Sequence, residues 1–376
     1  MTTMDDVVAA ETVLSRVDGE GGRLVVHGLD LEDLVAAHGF EATAALLWGA
    51  IDPELGDLEL GDPELGDAGE VARALGSARA RAFARVPAIL AATEDLAPID
   101  ALRAGIACLA ADGDRAAVVL ATAAMPVLLA AAFRRDRGLP PVAPDPALGQ
   151  AADLLRMLDG TPADPGRVRA LETYLVTVAD HGMNASTFAA RVIAATASDP
   201  VSAVAGAVGA LKGPLHGGAP GPVLDMLDAV GTPANAAAWI AAALDRGERL
   251  MGFGHRIYRT RDPRADVLKA ALAALGPRDP ARTALAEAVE RAARDALAVR
   301  YPGRRLDTNV EFYTALLLEA VGIDRALFTP MFGVGRVVGW TAHVLEQRAT
   351  GRLIRPKARY VGPVPAGDTF RAAANG

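Results

Sequence analysis

Apolar residues recur along most of this 376-residue chain at the three- and four-residue spacing of amphipathic helices. The segment LEDLVAAHGFEATAALLWG (31–49) is typical, and the helix-favouring residues alanine, leucine, arginine and glutamate dominate the chain. Alternating β-branched runs are nearly absent, with the exception of GRLVVHG (22–28), which predicts a short strand or hairpin. The pattern therefore predicts a mainly helical protein, and its length suits two domains.

Glycine, proline and acidic residues interrupt the helical pattern in five places. Because glycine and proline disfavour helices, we predict loops in these segments. At the last of them, Thr308 or Asn309 is a candidate cap for the following helix, as Asp30 is for the helix near residue 31. The predicted loops include a small acidic repeat, DPELGDLELGDPELGD, and cover residues 52–67, 138–149, 212–222, 248–264 and 301–309.

Composition and charge narrow the class of protein. Hydrophobic residues make up 51% of the chain, but much of this is dispersed alanine, so we expect no membrane-spanning helix. The acidic start, MTTMDDVVAAETVLSR, does not resemble a signal peptide, and we expect a cytoplasmic protein. A net charge of −8 gives no indication of a nucleic-acid partner. The single cysteine, Cys108, excludes an internal disulfide, and its apolar surroundings predict a core position.

Three of the six histidines lie in settings that suggest chemistry. His216 stands between Pro-Leu and Gly-Gly, and His255 lies in MGFGHRIYR. Glycines let a ligand approach the backbone closely, and an imidazole there can act as a general acid or hydrogen-bond donor. His181 follows Asp180 and precedes the polar stretch NAST. We interpret the other three, His27, His38 and His343, as structural.

Metal binding is the alternative use of these histidines. Three histidines and a carboxylate can bind zinc. However, the sequence has no HExxH motif, no close histidine pair and no cysteine partner for them. We therefore predict no metal site, and the interpretation as a metal-dependent hydrolase is disfavoured.

Arginines and one glutamate suggest an anionic substrate. The segment RIYRTRDPRAD (256–266) holds four arginines; surface ion pairs explain Arg256 and Arg261 well. They do not explain Arg336, whose apolar surroundings in FGVGRVVGW require a carboxylate or phosphate partner, such as a dianionic keto acid. Glu311 begins an apolar helix, where it is either a partner for the helix dipole or a general base with a pKa set by burial.

Several sequence blocks, in this order, resemble the citrate synthase family, including its 2-methylcitrate synthase members. The resemblance runs from about residue 11 to residue 362, and its main blocks are ADHGMNASTFAARVIAAT, LKGPLHGGAPGPV, MGFGHRIYRTRDPRAD, NVEFYTALLLEAVGI, FGVGRVVGWTAHVLEQ and IRPKARYVGP. It implies an all-α fold and an active homodimer. A large domain (1–216 and 316–376) and a small domain (217–315) would close over the substrates and exclude water.

The resemblance also implies a role for each matching residue. His216 would donate a hydrogen bond to the thioester carbonyl, and His255 would hydrogen-bond and protonate the keto oxygen. Glu311 occupies the position of the family's aspartate base. The remaining matches are the oxaloacetate ligands His181, Arg264 and Arg336, then Arg355, supplied to the neighbouring subunit's site, and the coenzyme A contacts Gly252, Gly254 and Arg259.

The implied reaction is condensation of acetyl-CoA with oxaloacetate, followed by hydrolysis to citrate and CoA, as in the tricarboxylic acid cycle. A base at the α-carbon and a donor at the carbonyl oxygen act together, so an enol forms rather than a free enolate. No cofactor is implied besides the coenzyme A thioester, which is a substrate.

The sequence departs from the family pattern at a few positions. Glu311 replaces the aspartate of the usual NVDFY string, which moves the carboxylate by roughly 1 Å and can cost about 100-fold in rate. Gly182 replaces a common acidic residue, and His27 and Leu29 replace an arginine and a tyrosine.

Two alternative functions remain open at this point. A 2-methylcitrate synthase would use propionyl-CoA, and one methylene in a pocket is discriminated by only about 1–3 kcal/mol. A low-activity or non-catalytic homologue would bind these ligands without turnover, but the intact set of histidines and arginines argues against it.

Overall fold

The computed structural model describes residues 7–56, 69–217, 220–255, 257–277 and 279–363. Within these ranges the protein is mainly helical, with seventeen α-helices and one small sheet, so the prediction of an all-α fold is confirmed. The helices are α1 (Leu31–Ala37), α2 (Phe40–Gly49), α3 (Pro53–Gly56), α4 (Glu70–Phe83), α5 (Val86–Ala92), α6 (Pro98–Ala107), α7 (Asp114–Arg135), α8 (Gln150–Asp159), α9 (Pro165–Thr177), α10 (Ala185–Ala194), α11 (Pro200–Leu211), α12 (Pro220–Val230), α13 (Ala236–Asp245), α14 (Pro263–Leu275), α15 (Pro280–Arg300), α16 (Val310–Val321) and α17 (Phe328–Thr350).

The small sheet lies near the N-terminus. Its strands β1 (Ser15–Asp18), β2 (Arg23–Val26) and β3 (Leu29–Asp30) pair antiparallel in chain order, with Ser15 opposite Val26. Strand β2 confirms the prediction from GRLVVHG. It forms because Leu24 and Val26 point into the core while the alternate side chains are more exposed.

Helix α7 is the one clear surprise in the hydrophobic pattern. By length and composition it could cross a membrane, contrary to our expectation that no such helix exists. However, 83% of its most apolar 18 residues are buried inside the protein, against α4, α6, α8 and α17 among others. These features are those of a central core helix, apolar all round because neighbours cover every face.

Two of the predicted loops are shorter than expected. The segment 212–222 was predicted as loop throughout, but α12 begins at Pro220, and α14 likewise begins at Pro263 inside the predicted loop 248–264. Proline is favoured in the first turn of a helix because the amide hydrogen it lacks has no intrahelical acceptor there. The segments 138–149 and 301–309 are free of helix, as predicted.

Three local predictions need correction or restriction. Cys108 is exposed rather than core, because it lies just after the last residue of α6. Asp30 precedes α1, but its carboxylate pairs with Arg23 at 2.8 Å and does not cap the helix. In the acidic repeat, Pro53–Gly56 form the short α3, whereas residues 57–68 lie outside the described residues, as does Arg256.

Candidate active site

Five connections and helix termini bring the predicted site residues together around the middle of α17. His181 lies between α9 and α10, and His216 lies just after α11. His255 precedes α14, which carries Arg264 in its first turn, and Glu311 lies in the first turn of α16. The central helix α17 itself carries Arg336, whose charge acts on both His181 and His216.

His181 is buried between two other rings. Its Nε2 lies 3.1 Å from the hydroxyl oxygen of Tyr258, and its ring centroid is 5.8 Å from that of His255 in an edge-on arrangement. Burial, aided by the nearby charges of Arg264 and Arg336, holds the pKa of His181 well below its usual value. The ring is therefore neutral and can serve as a hydrogen-bonding ligand at neutral pH.

His255 has a proton on one defined nitrogen. Its Nδ1 accepts the backbone N–H groups of Ile257 (3.0 Å) and Tyr258 (3.1 Å). Burial and the charge of Arg264 lower the pKa of His255 to about 4, so the ring is neutral and its single proton lies on Nε2. Nη2 of Arg264 is 3.2 Å from this Nε2. Two donors therefore converge, and an oxygen placed between them would accept from both.

Asp262 holds Arg264 in this position. Its carboxylate accepts from Nε (3.0 Å) and Nη2 (2.9 Å) of Arg264, and also from the backbone N–H of Val310 at 3.0 Å. All three groups are buried. Because Val310 is the first residue of α16, the same carboxylate fixes the start of the helix that carries Glu311.

A short two-stranded contact, which we name the clasp, joins residues 252–254 to residues 307–309. Gly254 N–H donates to Asp307 O (2.8 Å), and Asn309 N–H donates to Gly252 O (2.9 Å). Both glycines have positive φ, +86° for Gly252 and +75° for Gly254, and a Cβ on Gly252 would lie 2.9 Å from Phe312. The backbone conformation thus accounts for these two glycines, which the resemblance had matched to coenzyme A contacts.

Glu311 is half-buried at the start of α16. Its backbone N–H donates to Oδ1 of Asn309 at 3.0 Å, so of the two candidate caps Asn309 is the one used. Burial raises the pKa of the Glu311 carboxyl above its usual value, although Arg264 and Arg249 act in the opposite direction. A carboxylate with a raised pKa is a stronger base, as proton removal from carbon requires.

His216 is held by a hydroxyl group that the sequence did not indicate. Its Nε2 lies 2.8 Å from Oγ of Ser186, which is also 2.8 Å from Oδ1 of Asn184 and accepts the indole N–H of Trp340 at 3.1 Å. Burial, then the charge of Arg336, lowers the pKa of His216 to about 4. This ring is also neutral, so it can donate a hydrogen bond from one nitrogen while accepting on the other.

Arg336 forms no ion pair with any described residue, and in this sense its charge is unmatched; the buried carboxylate of Asp180 acts on it only from beyond ion-pair distance. The side chain is 1% exposed, and Nε donates to the carbonyl oxygen of Val178. The guanidinium lies 4.7 Å from the ring centroid of Phe332, and Nη2 has no hydrogen-bond partner in the part of the chain that the structure describes. Burial lowers the pKa of Arg336 to about 10. A buried cation in this state fits a site that receives an anion.

Two predicted residues lie away from this cluster. Arg355 is exposed in the extended segment after α17, and the Arg259 side chain is exposed while its backbone N–H donates to Gly19 O at 2.8 Å. The prediction that Arg355 serves a neighbouring subunit is not tested by a single chain. Across the described ranges, no group of three or more His, Cys, Asp or Glu side chains is placed to hold a metal ion.

Ser186, Trp340, Tyr258 and Asp262 complete the site and were not predicted. The polar NAST stretch contains Ser186, and an aspartate directly before a proline is a common helix-start signal, which Asp262 fits. Trp340 gave no signal, because it meets Ser186 across 154 residues of sequence. Together the site offers neutral donors, unmatched positive charge and a basic carboxylate, which suits carbon–carbon bond formation on an anionic carbonyl compound.

Comparison with known proteins agrees with this chemistry. The family described as "Citrate synthase, C-terminal domain" matches residues 3–357. The chain is 40% identical to a putative citrate synthase 2 of Mycobacterium tuberculosis, over 96% of this chain and 93% of that protein. It is also 40% identical to a 2-methylcitrate synthase of the same organism, over 95% of this chain and 89% of that protein.

Solved structures show the same fold. The crystal structure of citrate synthase from Thermotoga maritima has a TM-score of 0.82 and 32% identity, covering 96% of both chains. Citrate synthase from Thermoplasma acidophilum, solved in a ternary complex with carboxymethyl coenzyme A and oxaloacetate, has a TM-score of 0.80 and 27% identity, covering 96% of this chain and 95% of that one. The chain therefore belongs to the citrate synthase family.

Proposed function

We propose specific residue roles for the reaction of this enzyme. The chain is an acyltransferase of the citrate synthase type: it condenses acetyl-CoA with oxaloacetate and hydrolyses the adduct to citrate and CoA. The observation that carries the residue assignment is the buried, unmatched guanidinium of Arg336, beside two neutral histidines and a carboxylate with a raised pKa.

Oxaloacetate binds first in this proposal, because its carboxylates supply the negative charge that the site lacks. Arg336 Nη2 takes one carboxylate oxygen, and His181 contributes a neutral hydrogen bond. The keto oxygen accepts Nε2–H of His255 in this proposal. Nη2 of Arg264, which points at Asp262 (2.9 Å) and at Nε2 of His255 (3.2 Å) in the ligand-free structure, turns one N–H from His255 to the same oxygen as oxaloacetate binds. Arg355 of a neighbouring subunit completes the carboxylate contacts in a homodimer.

Glu311 and His216 then activate the acyl thioester. The Glu311 carboxylate removes the α-proton while His216 Nδ1–H donates to the thioester carbonyl oxygen, which yields the enol. In the structure the single proton of the Ser186 hydroxyl is directed at Oδ1 of Asn184, 2.8 Å away. This use of Nδ1 therefore requires that proton to turn to Nε2 of His216, which also lies 2.8 Å from Oγ. The indole N–H of Trp340 already occupies one lone pair of that hydroxyl and restricts its rotation.

Condensation follows on the other side of the site. The enol carbon attacks the keto carbon, and His255 together with Arg264 stabilises the developing alkoxide. Closure of residues 217–315 over the large domain excludes water until the thioester adduct is hydrolysed. Coenzyme A lies along the 252–254 loop and Arg259. We also propose that the enzyme works in the cytoplasm and needs no metal.

The proposal is tested by release of free thiol. Purified protein is mixed with oxaloacetate and acetyl-CoA, with propionyl-CoA as a second substrate and a mixture without oxaloacetate as the control. We expect thiol release that depends on oxaloacetate and is faster with acetyl-CoA. Thiol release without oxaloacetate would indicate a hydrolase, and none with either thioester would refute the enzyme assignment.

A further inference from the structure

Asn309 connects the two catalytic halves of the site with a single side chain. It is 4% exposed in the extended segment just before α16. Its Oδ1 accepts the backbone N–H of Glu311 (3.0 Å), and its Nδ2 donates to the carbonyl oxygen of Gly254 (2.8 Å). Gly254 directly precedes His255. One amide thus touches the backbone of the base and the backbone next to the keto-oxygen donor.

We infer that Asn309 is a positioning residue that keeps His255 and Glu311 at the separation needed for the enol to meet the keto carbon. The inference rests on the roles proposed above for these two residues. Carbon–carbon bond formation requires the two reacting carbons at roughly 3–3.5 Å, and a displacement of about 1 Å can cost about 100-fold in rate. The enol forms on the Glu311 side and the acceptor carbonyl is held on the His255 side.

The geometry makes the amide more than an ordinary helix cap. His255 is fixed to its own loop, since its Nδ1 accepts the N–H groups of Ile257 and Tyr258. Two backbone bonds of the clasp and the Asp262 carboxylate on Val310 N–H also tie this loop to the start of α16. The Asn309 bond differs from these because it holds the carbonyl of Gly254, the residue next to His255, where a positive φ of +75° makes the backbone easy to turn. Without the Asn309 donor, that carbonyl loses its side-chain partner in a buried place.

The opposite end of the segment is anchored independently. Thr308 donates its hydroxyl to Oε1 of Glu290 at 2.8 Å, and Oε2 of the same carboxylate accepts from Tyr313 (2.7 Å) and Lys269 (3.0 Å). The segment 307–309 is thereby held against α14, α15 and α16. Loss of the Asn309 donor would loosen the His255 loop at the Gly254 carbonyl, with the backbone bonds of the clasp still present, and leave the Glu311 side in place.

The inference is tested with variants that remove the Nδ2 donor of Asn309 but keep an oxygen that can cap α16. In Asn309→Ser the hydroxyl still caps α16, but it is too short to reach Gly254 and has no amide nitrogen. Asn309→Asp has the size of the native residue and places a carboxylate oxygen against the Gly254 carbonyl. The matched control is Asn235→Ser, because exposed Asn235 also precedes a helix and donates Nδ2 to a backbone carbonyl, that of Val230, at 3.0 Å.

Two rates are measured in deuterated water with acetyl-CoA and oxaloacetate: thiol release, and deuterium uptake into the methyl group of unreacted acetyl-CoA. For Asn309→Ser we expect thiol release to fall about 10- to 100-fold, in line with a misplacement of about 1 Å. Deuterium uptake per thiol released should rise, because the enol still forms but returns to acetyl-CoA. The Asn235→Ser protein should match the wild type in both rates.

Each other outcome refutes a distinct statement. If the wild type releases no thiol, the proposed function fails. If the wild type is active and Asn309→Ser retains its rate, or loses thiol release and deuterium uptake in parallel, Asn309 does not hold the two halves together. If Asn309→Ser does not fold, the same two rates are measured for Asn309→Asp, which also lacks the amide donor. If neither variant folds, Asn309 serves stability and the inference is overturned.

Discussion

Two buried arginines of this protein have the same exposure and opposite surroundings. Arg191 and Arg336 are each 1% exposed. Arg191 donates to Gln347 (3.0 Å), to Nδ1 of His343 (2.8 Å) and to the carboxylate of Glu346. Arg336 donates to one backbone carbonyl and leaves Nη2 without a partner among the described residues. The comparison separates a structural cluster from a binding site.

The structural cluster also supports the site. His343 accepts from Arg191 on Nδ1, and its Nε2 lies 3.2 Å from Oδ1 of Asp180. Asp180 in turn accepts from the Ser15 hydroxyl of β1, and it directly precedes His181. Buried histidines and arginines thus occur in both places. What distinguishes the site is a buried guanidinium that no described carboxylate contacts, since Asp180 acts on it only from a greater distance, and such a charge is costly unless a ligand meets it.

Substitution of Glu311 in the site and of Glu346 in the structural cluster should give the largest difference in catalytic rate. Glu311→Gln removes the proposed base, so we expect kcat to fall about 10²- to 10⁴-fold. Glu346→Gln weakens the structural cluster, and we expect a loss of about 1–3 kcal/mol in the free energy of unfolding, with kcat nearly unchanged. Thiol-release kinetics and urea unfolding measure the two effects. Unchanged turnover in Glu311→Gln would remove Glu311 from the role of base.

The two arginines should differ in stability. Arg191→Met leaves Glu346 buried without its partner, and we expect a loss of about 3–5 kcal/mol in the free energy of unfolding. Arg336→Met removes an unmatched buried charge, so the ligand-free protein should be as stable as the wild type or more stable. Equal destabilisation by both substitutions, measured by denaturant unfolding, would mean that Arg336 is a structural residue like Arg191.

The pH dependence of the rate should show one acidic limb. Burial raises the pKa of Glu311, and below that pKa the carboxyl is protonated and cannot accept the α-proton, so kcat should fall as the pH falls through it. His216 and His255 have pKa values of about 4, so neither should add a limb near the ordinary histidine value of about 6.5. A limb that persists at the same pH in the residual activity of Glu311→Gln would contradict this assignment.

Local sequence signals explain what could be predicted. Glycine-flanked His216 and His255 and the apolar neighbours of Arg336 are visible in the sequence. The structure places the charge of Arg336 near His216 and His181, and His181 packs against His255. The contacts that set their protonation come from distant segments, as when Trp340 of α17 reaches Ser186 of α10. Such contacts depend on how helices pack, and no local pattern encodes them.

Burial and packing also explain the sequence-based predictions that were wrong or incomplete. Cys108 has apolar neighbours in sequence, but one residue past a helix end is enough to place it at the surface. Helix α7 has a membrane-like composition because its surroundings in the core are apolar on every side. The role of Gly252 and Gly254 in the clasp was missed, since the need for positive φ arises from their contact with residues 306–312.

The most direct test of the account is calorimetric titration of oxaloacetate into wild type, Arg336→Met and Arg191→Met proteins without acyl-CoA. If Arg336 supplies the counter-charge for a buried carboxylate, its loss should weaken binding by about 2 kcal/mol or more, roughly thirtyfold. Folded Arg191→Met protein should bind within about threefold of the wild type, since Arg191 already has its partners. Wild-type affinity in Arg336→Met would contradict the central claim that the unmatched guanidinium is the oxaloacetate site.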